Sequence, residues 1–211
     1  MGSEMCIRDS CIGFQKTGTT SLFAALTDLG YNTASVIGRD LTAEALRENS
    51  ARLCLEAAEQ YDAVQDMPWP LFFRELDTAY PGSKFVLTTR EPTSWFGSIE
   101  KHFGNEPDEM QAFIYGDDAA FPAGNKDRYL EVFHAHNDAV KTYFYERPDD
   151  LLIMDLAKGD GWDTLCPFLE CETPSTPFPT RNRASDRETL GYRVRRKLSR
   201  LFGGYLAPEK I

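Results

Sequence analysis

Leucines at 22, 26 and 29 recur at the spacing of one helix face, so 21–29 is predicted as a helix that Gly30 ends. A second helical pattern covers 42–60, with Leu46, Leu53, Leu55 and Ala57 set among charged residues. Tyr61 to Val64 reads as a short strand. Pro68 and Pro70 then interrupt the backbone before a helix expected over 71–79, and Tyr80-Pro81-Gly82 turns the chain. The run KFVLTT at 84–89 is a buried strand by its apolar and β-branched content. A helix follows over 93–102, and the acidic, glycine-containing stretch 104–127 reads as a mobile insertion or partial helix. Residues 129–145 form a long amphipathic helix, and Leu151 to Met154 a further buried strand closed by Asp155. Near the end, 186–202 is predicted as a packed amphipathic helix with arginines opposite Leu190, Val194, Leu198, Leu201 and Phe202. Strands that alternate with helices argue for an α/β fold whose central sheet is mostly parallel, with right-handed crossovers.

Composition narrows the class. With 211 residues, 42% hydrophobic and 27% charged, the chain has the make-up of an ordinary globular domain. A net charge of −10 argues against general nucleic-acid binding. That charge is uneven, because eight basic and two acidic residues fall between Arg181 and Arg200. The five cysteines are an odd number without CxxC spacing, which favours reduced thiols in the cytoplasm over a zinc site or a disulfide framework. No apolar run approaches the ~20 residues of a membrane span. Residues 5–9, MCIRD, read as the translation of a sequencing adapter, and few apolar residues precede Gly13 to make a buried strand. Residues 1–10 are therefore expected to be a non-native leader, and 11–211 one domain.

Chemistry concentrates in Gly13 to Leu22, GFQKTGTTSL. Gly13-x-x-x-x-Gly18-x-Thr20 fits the frame of a nucleotide-binding loop, whose glycines allow a tight turn and whose amides cradle anions at a helix start. The lysine is displaced. Thr19 stands where an ATPase has lysine, and Lys16 lies inside the loop, so a phosphoanhydride other than ATP is the expected ligand. Arg90, at the end of a strand, and Ser98, eight residues on, can grip one phosphate from two sides. Arg90 can instead pair with Glu91 or Asp66, and Ser94 can cap the following helix. Asp66 follows a strand end, where ligands sit in open α/β sheets; its other reading is a helix cap or a partner for a loop lysine. Trp69 is read equally as an adenine-stacking surface and as core. His134 and His136 face different sides of a helix and make no metal pair.

The string Gln15-Lys16-Thr17-Gly18-Thr19-Thr20-Ser21-Leu22 resembles the 5′-phosphosulfate loop of sulfotransferases that use 3′-phosphoadenosine 5′-phosphosulfate (PAPS). The resemblance covers 11 to about 183 and implies a P-loop NTPase-like three-layer α/β/α domain. It implies PAPS as co-substrate, no metal, and a small-molecule, glycan or lipid acceptor that offers a hydroxyl or amine. Carried over, Gln15, Lys16, Thr17, Gly18, Thr19, Thr20 and Ser21 hold the 5′ end of the donor. Arg90 and Ser98 hold its 3′-phosphate, joined by Arg181 and Arg183 from a late basic segment. Lys16 stabilises the leaving oxygen, and Asp66, in Gln65-Asp66-Met67-Pro68, stands where relatives carry a glutamate base. His136, beside Asn137, resembles a His-Asn pair of similar proteins; it and His102 are the reserve bases. Gly161 to Leu169 resembles a GWxxLCxFL segment with a packing role. Two rival readings stay open: a nucleotide kinase or NTPase on the same fold, and a non-catalytic PAPS-binding or scaffold protein.

Overall fold

The computed structural model describes residues 9–180. The expected terminal helix at 186–202, Arg181, Arg183 and most of the expected leader lie outside the described residues. Packing into one compact unit runs to Phe178, and a second unit begins at Pro179.

Five strands form the sheet: β1 (Asp9–Cys11), β2 (Thr33–Ala34), β3 (Ala63–Gln65), β4 (Phe85–Thr88) and β5 (Leu151–Met154). They lie in the order β2-β3-β1-β4-β5, and all four pairings are parallel, so the sheet is wholly rather than mostly parallel. Around it are α1 (Thr19–Asp28), α2 (Ala43–Ala58), α3 (Phe73–Ala79), α4 (Pro92–Phe103), α5 (Glu109–Tyr115), α6 (Lys126–Tyr143) and α7 (Trp162–Leu169).

Strand alternation sorts side chains to two faces. Cys11, Ala63, Val86 and Met154 pack under Leu22, Ala25 and Leu26 of α1 and Trp162 and Leu165 of α7. Ile12, Val64, Phe85 and Leu87 pack on the other face against Cys54 of α2, Phe73 of α3 and Val140 of α6. This makes three layers, α/β/α. A third cluster of Phe14, Met67, Trp95, Phe133 and Tyr115 shores up the end of the sheet where the strands finish.

Four local features add detail to the sequence reading. Asp9 and Ser10 occupy the central strand, within the stretch expected to be a leader. The Asp9 carboxylate is tolerated there because Lys84 N and Tyr31 Oη donate to it at 3.0 Å each. Strand β2 has only two residues, too few for a periodic signal. The stretch 104–127 holds α5, capped by Asp108, which accepts from Gln111 N at 3.0 Å. Glu109 of α5 accepts from Ala43 N at 2.7 Å, locking the insertion to the start of α2. Finally, Trp69–Phe72 forms a 3-10 turn, with Pro70 at its start, before α3 begins. Among the described residues no helix is long and apolar enough to cross a membrane.

Candidate active site

The connection after β1 runs to β2 on one side and that after β4 to β5 on the other, opening a crevice at the strand ends between them. The loop after β1, Asp66 after β3 and Arg90 after β4 all face that crevice by topology. Gly13 is required by close packing: a Cβ there would stand 2.7 Å from Thr88 N. Gly18 caps α1 with φ 119°, in the region that favours glycine, and Leu156 fills the space beside it.

The loop is held by its own polar groups. Thr17 Oγ1 donates to Phe14 O at 2.6 Å, and Thr88 Oγ1, 2.6 Å away, is left to donate to Thr17. The Thr17 amide also turns to Phe14 O at 3.3 Å. Gln15 is buried, with Nε2 donating to Tyr115 Oη at 3.2 Å. Its carbonyl accepts from Trp95 Nε1 at 2.9 Å. Thr19 and Ser21 are buried and Thr20 is exposed at the start of α1. Ser21 N and Leu22 N both bond to Gly18 O, so the amides of Thr19 and Thr20 belong to the helix start that has no intrahelical acceptor.

Lys16 takes φ 70° and Asp66 φ 64°. Side chains rarely adopt this left-handed region, and each such residue costs on the order of 1–3 kcal/mol. Glu170, the third non-glycine with positive φ among the described residues, merely caps the end of α7. Lys16 and Asp66 end no helix. Backbone strain therefore falls on the two residues proposed to carry the chemistry.

Asp66 accepts from Met67 N at 2.9 Å through Oδ1 and from Thr19 Oγ1 at 3.4 Å through Oδ2. Burial raises its pKa above the ordinary carboxylate range; those hydrogen bonds and the charges of Arg39 and Lys16 oppose the rise. Arg39, on the loop after β2, carried no signal in the sequence. Arg90 donates from Nε to Ser94 Oγ at 3.1 Å and from NH1 to Lys16 O at 3.3 Å. The α4 cap is Glu91 rather than Ser94: its carboxylate accepts from Thr93 N at 2.9 Å and Ser94 N at 2.6 Å. That occupies Glu91 with its own helix and leaves Arg90 turned to the loop. Ser98 is half-buried one turn further along α4.

The histidines separate. His136 is buried beneath the loop, its ring stacked on Phe14 at 4.4 Å and its Nε2 2.7 Å from Ile12 O. That carbonyl accepts only, so the proton is on Nε2; burial pulls the pKa down to about 4. His102, on α4, places Nδ1 3.4 Å from Lys16 Nζ. Trp69 is fully buried and donates Nε1 to Ser35 O at 2.7 Å, so it is core and offers no stacking face. Asp155, after β5, stays within its own turn, accepting from Ala157 N at 3.1 Å and pairing with Lys158.

A glycine-gated loop with an internal lysine, set against an arginine from the next strand, agrees with the comparison to known sequences. The sulfotransferase domain matches over residues 11–117 and 108–187, most of the chain. This chain belongs to that sulfotransferase family. Ava biosynthesis cluster protein M of Aspergillus versicolor is similar, 27% identical over 212 residues that span 80% of this chain and 78% of the relative. Membership makes the protein a transferase of sulfuryl groups and accounts for the α/β sheet that carries the loop.

Proposed function

We propose that the protein transfers the sulfuryl group of PAPS to a hydroxyl or amine of a small-molecule, glycan or lipid acceptor. The observation that carries this is the bond from Arg90 NH1 to Lys16 O at 3.3 Å. It puts a guanidinium suited to a terminal phosphate beside the loop suited to a phosphoanhydride, which matches a nucleotide phosphorylated at both its 3′ and 5′ positions. The site's residues fit such a donor: glycine backbone and helix-start amides for the 5′ end, Arg90 with Ser94 or Ser98 for the 3′ end.

In this reading the amides of Thr19 and Thr20 hold the 5′-phosphate. Gln15 and Thr17, tied to protein partners, shape the loop rather than touch the ligand. As the bond between sulfur and the bridging oxygen breaks, its electron pair goes to that oxygen, where Lys16 offsets the growing charge. The acceptor's oxygen or nitrogen forms the new bond to sulfur and its proton passes to Asp66, whose raised proton affinity suits a base. His136, committed to Ile12 O, is a support beneath the loop and not the base. The free thiols of Cys11, Cys54, Cys166 and Cys171 suit a reducing compartment such as the cytoplasm.

A nucleotide kinase is disfavoured because Thr19 stands where its lysine would be. Calorimetric titration with adenosine 3′,5′-bisphosphate, AMP and ATP tests the assignment. The bisphosphate should bind at least tenfold more tightly than AMP, on the scale of one charge-assisted hydrogen bond. Equal affinities, or a preference for ATP, would overturn it.

A further inference from the structure

Lys16 has two neighbours of different character. One is Asp66, a carboxylate that feels its charge. Toward α4 is His102, whose Nδ1 is 3.4 Å from Lys16 Nζ and whose ring lies edge-on to Phe103 at 4.7 Å. An ammonium has donors only, so a hydrogen bond across this contact requires Nδ1 to be the acceptor and the ring proton to sit on Nε2. A protonated ring would set two like charges against each other.

The backbone of Lys16 is already fixed, by its positive φ and by Arg90 at its carbonyl. Its side chain turns about several single bonds, and an ammonium is drawn to a neighbouring carboxylate. Pairing with Asp66 would do double harm: it would lower the proton affinity of the base and take the cation from the leaving oxygen. A neutral acceptor at 3.4 Å counters this pull without adding charge.

We propose that His102 is a positioning residue for Lys16: its neutral Nδ1 receives one Nζ–H and keeps the ammonium off Asp66 and toward the bridging oxygen of the donor. This rests on the sulfotransfer reading above. It differs from a base role for His102, because His102 acts only through Lys16.

A double-mutant cycle separates the two. The measured quantity is release of adenosine 3′,5′-bisphosphate from PAPS with water as acceptor. His102→Ala should lower kcat about tenfold with KM for PAPS within about twofold, the size of one lost hydrogen bond to a charged group. His102→Asn, whose Oδ1 can take the place of Nδ1, should recover most of the loss. On a Lys16→Ala background His102→Ala should cost less than about twofold more. Losses that multiply on that background, or a fully active His102→Ala protein, would overturn the proposal. Thermal unfolding of each variant separates misfolding from loss of positioning.

A second readout needs no turnover. Imidazole 15N spectra of the wild type should show His102 as the neutral Nε2–H tautomer, with an Nδ1 signal that moves in Lys16→Ala. A protonated Nδ1, or an unchanged signal, would overturn the proposal. Should the wild type bind no adenosine 3′,5′-bisphosphate, the sulfotransfer reading falls, and these spectra still decide whether His102 holds Lys16.

Discussion

Arg90 reaches from the end of β4 to the carbonyl of Lys16, with NH1 3.3 Å from that oxygen. The same guanidinium bonds Ser94 through Nε at 3.1 Å. One side chain thereby links the phosphate loop to α4, and it is half-buried, still reachable by ligand. If it also grips the 3′-phosphate, Arg90→Ala removes a charge-assisted bond worth about 1.5–3 kcal/mol. The preference for adenosine 3′,5′-bisphosphate over AMP should then shrink about tenfold or more by calorimetry, while AMP affinity changes little. A preference that survives intact would move the 3′-phosphate elsewhere.

His136 gives a prediction about stability. Its folded pKa, about 4, lies below the ordinary histidine value of 6.5, because burial penalises the charged ring. Between those values the unfolded chain binds more protons than the folded one, so stability rises with pH. The contribution is fully present above about pH 6.5 and is lost as pH falls toward 4, to a total of up to about 3 kcal/mol. In His136→Gln the amide can still donate to Ile12 O but cannot titrate. Urea unfolding at stepped pH should show the wild type losing stability relative to this variant across that window. Parallel curves would mean that the ring is not held neutral.

The two longer strands, Phe85–Thr88 and Leu151–Met154, were legible because each holds three or four consecutive apolar residues between turn signals. The loop was legible because glycine spacing and a lone lysine are local facts. What stayed hidden is mostly non-local. Nothing near Gly13 in the chain reveals that Thr88 passes within contact of it, and nothing near Asp66 reveals Arg39. The side chains of Thr17 and Gln15 turn inward to Thr88 and Tyr115, partners more than seventy residues away in the chain. The left-handed backbone of Lys16 leaves no compositional trace, since glycine would be the ordinary choice there. The His102 contact with Lys16 depends on how α4 is rotated, which the spacing of Trp95, Phe96 and Ile99 constrains only loosely.

Lys16→Ala should lower turnover more than affinity. Charge on the bridging oxygen grows as its bond to sulfur breaks, so the ammonium interacts more strongly with the transition state than with the ground state. Release of adenosine 3′,5′-bisphosphate from PAPS should fall by about a hundredfold, and binding of the bisphosphate by less than about tenfold, the asymmetry typical of oxyanion-stabilising groups. Loss of affinity with normal turnover would make Lys16 a ground-state anchor.

Asp66 gives the most demanding prediction, because a base must be ionised to accept a proton. Burial raises its pKa, while Arg39 and Lys16 pull it back down. The rate should therefore fall on the acid side at a higher pH than an ordinary aspartate near 3.9 would give. Arg39→Ala removes one of the opposing charges and should move that acid limb higher still. Asp66→Asn keeps shape and hydrogen-bond acceptance toward Met67 N, yet it has no proton affinity. It should nearly abolish transfer while leaving adenosine 3′,5′-bisphosphate affinity within about threefold. The sign of the Arg39 effect is the discriminating part: a limb that stays put, or shifts to lower pH, would show that the titrating group is not the carboxylate beside Arg39. An active Asp66→Asn protein would hand the proton to another group while leaving the donor site, read independently through Arg90, intact.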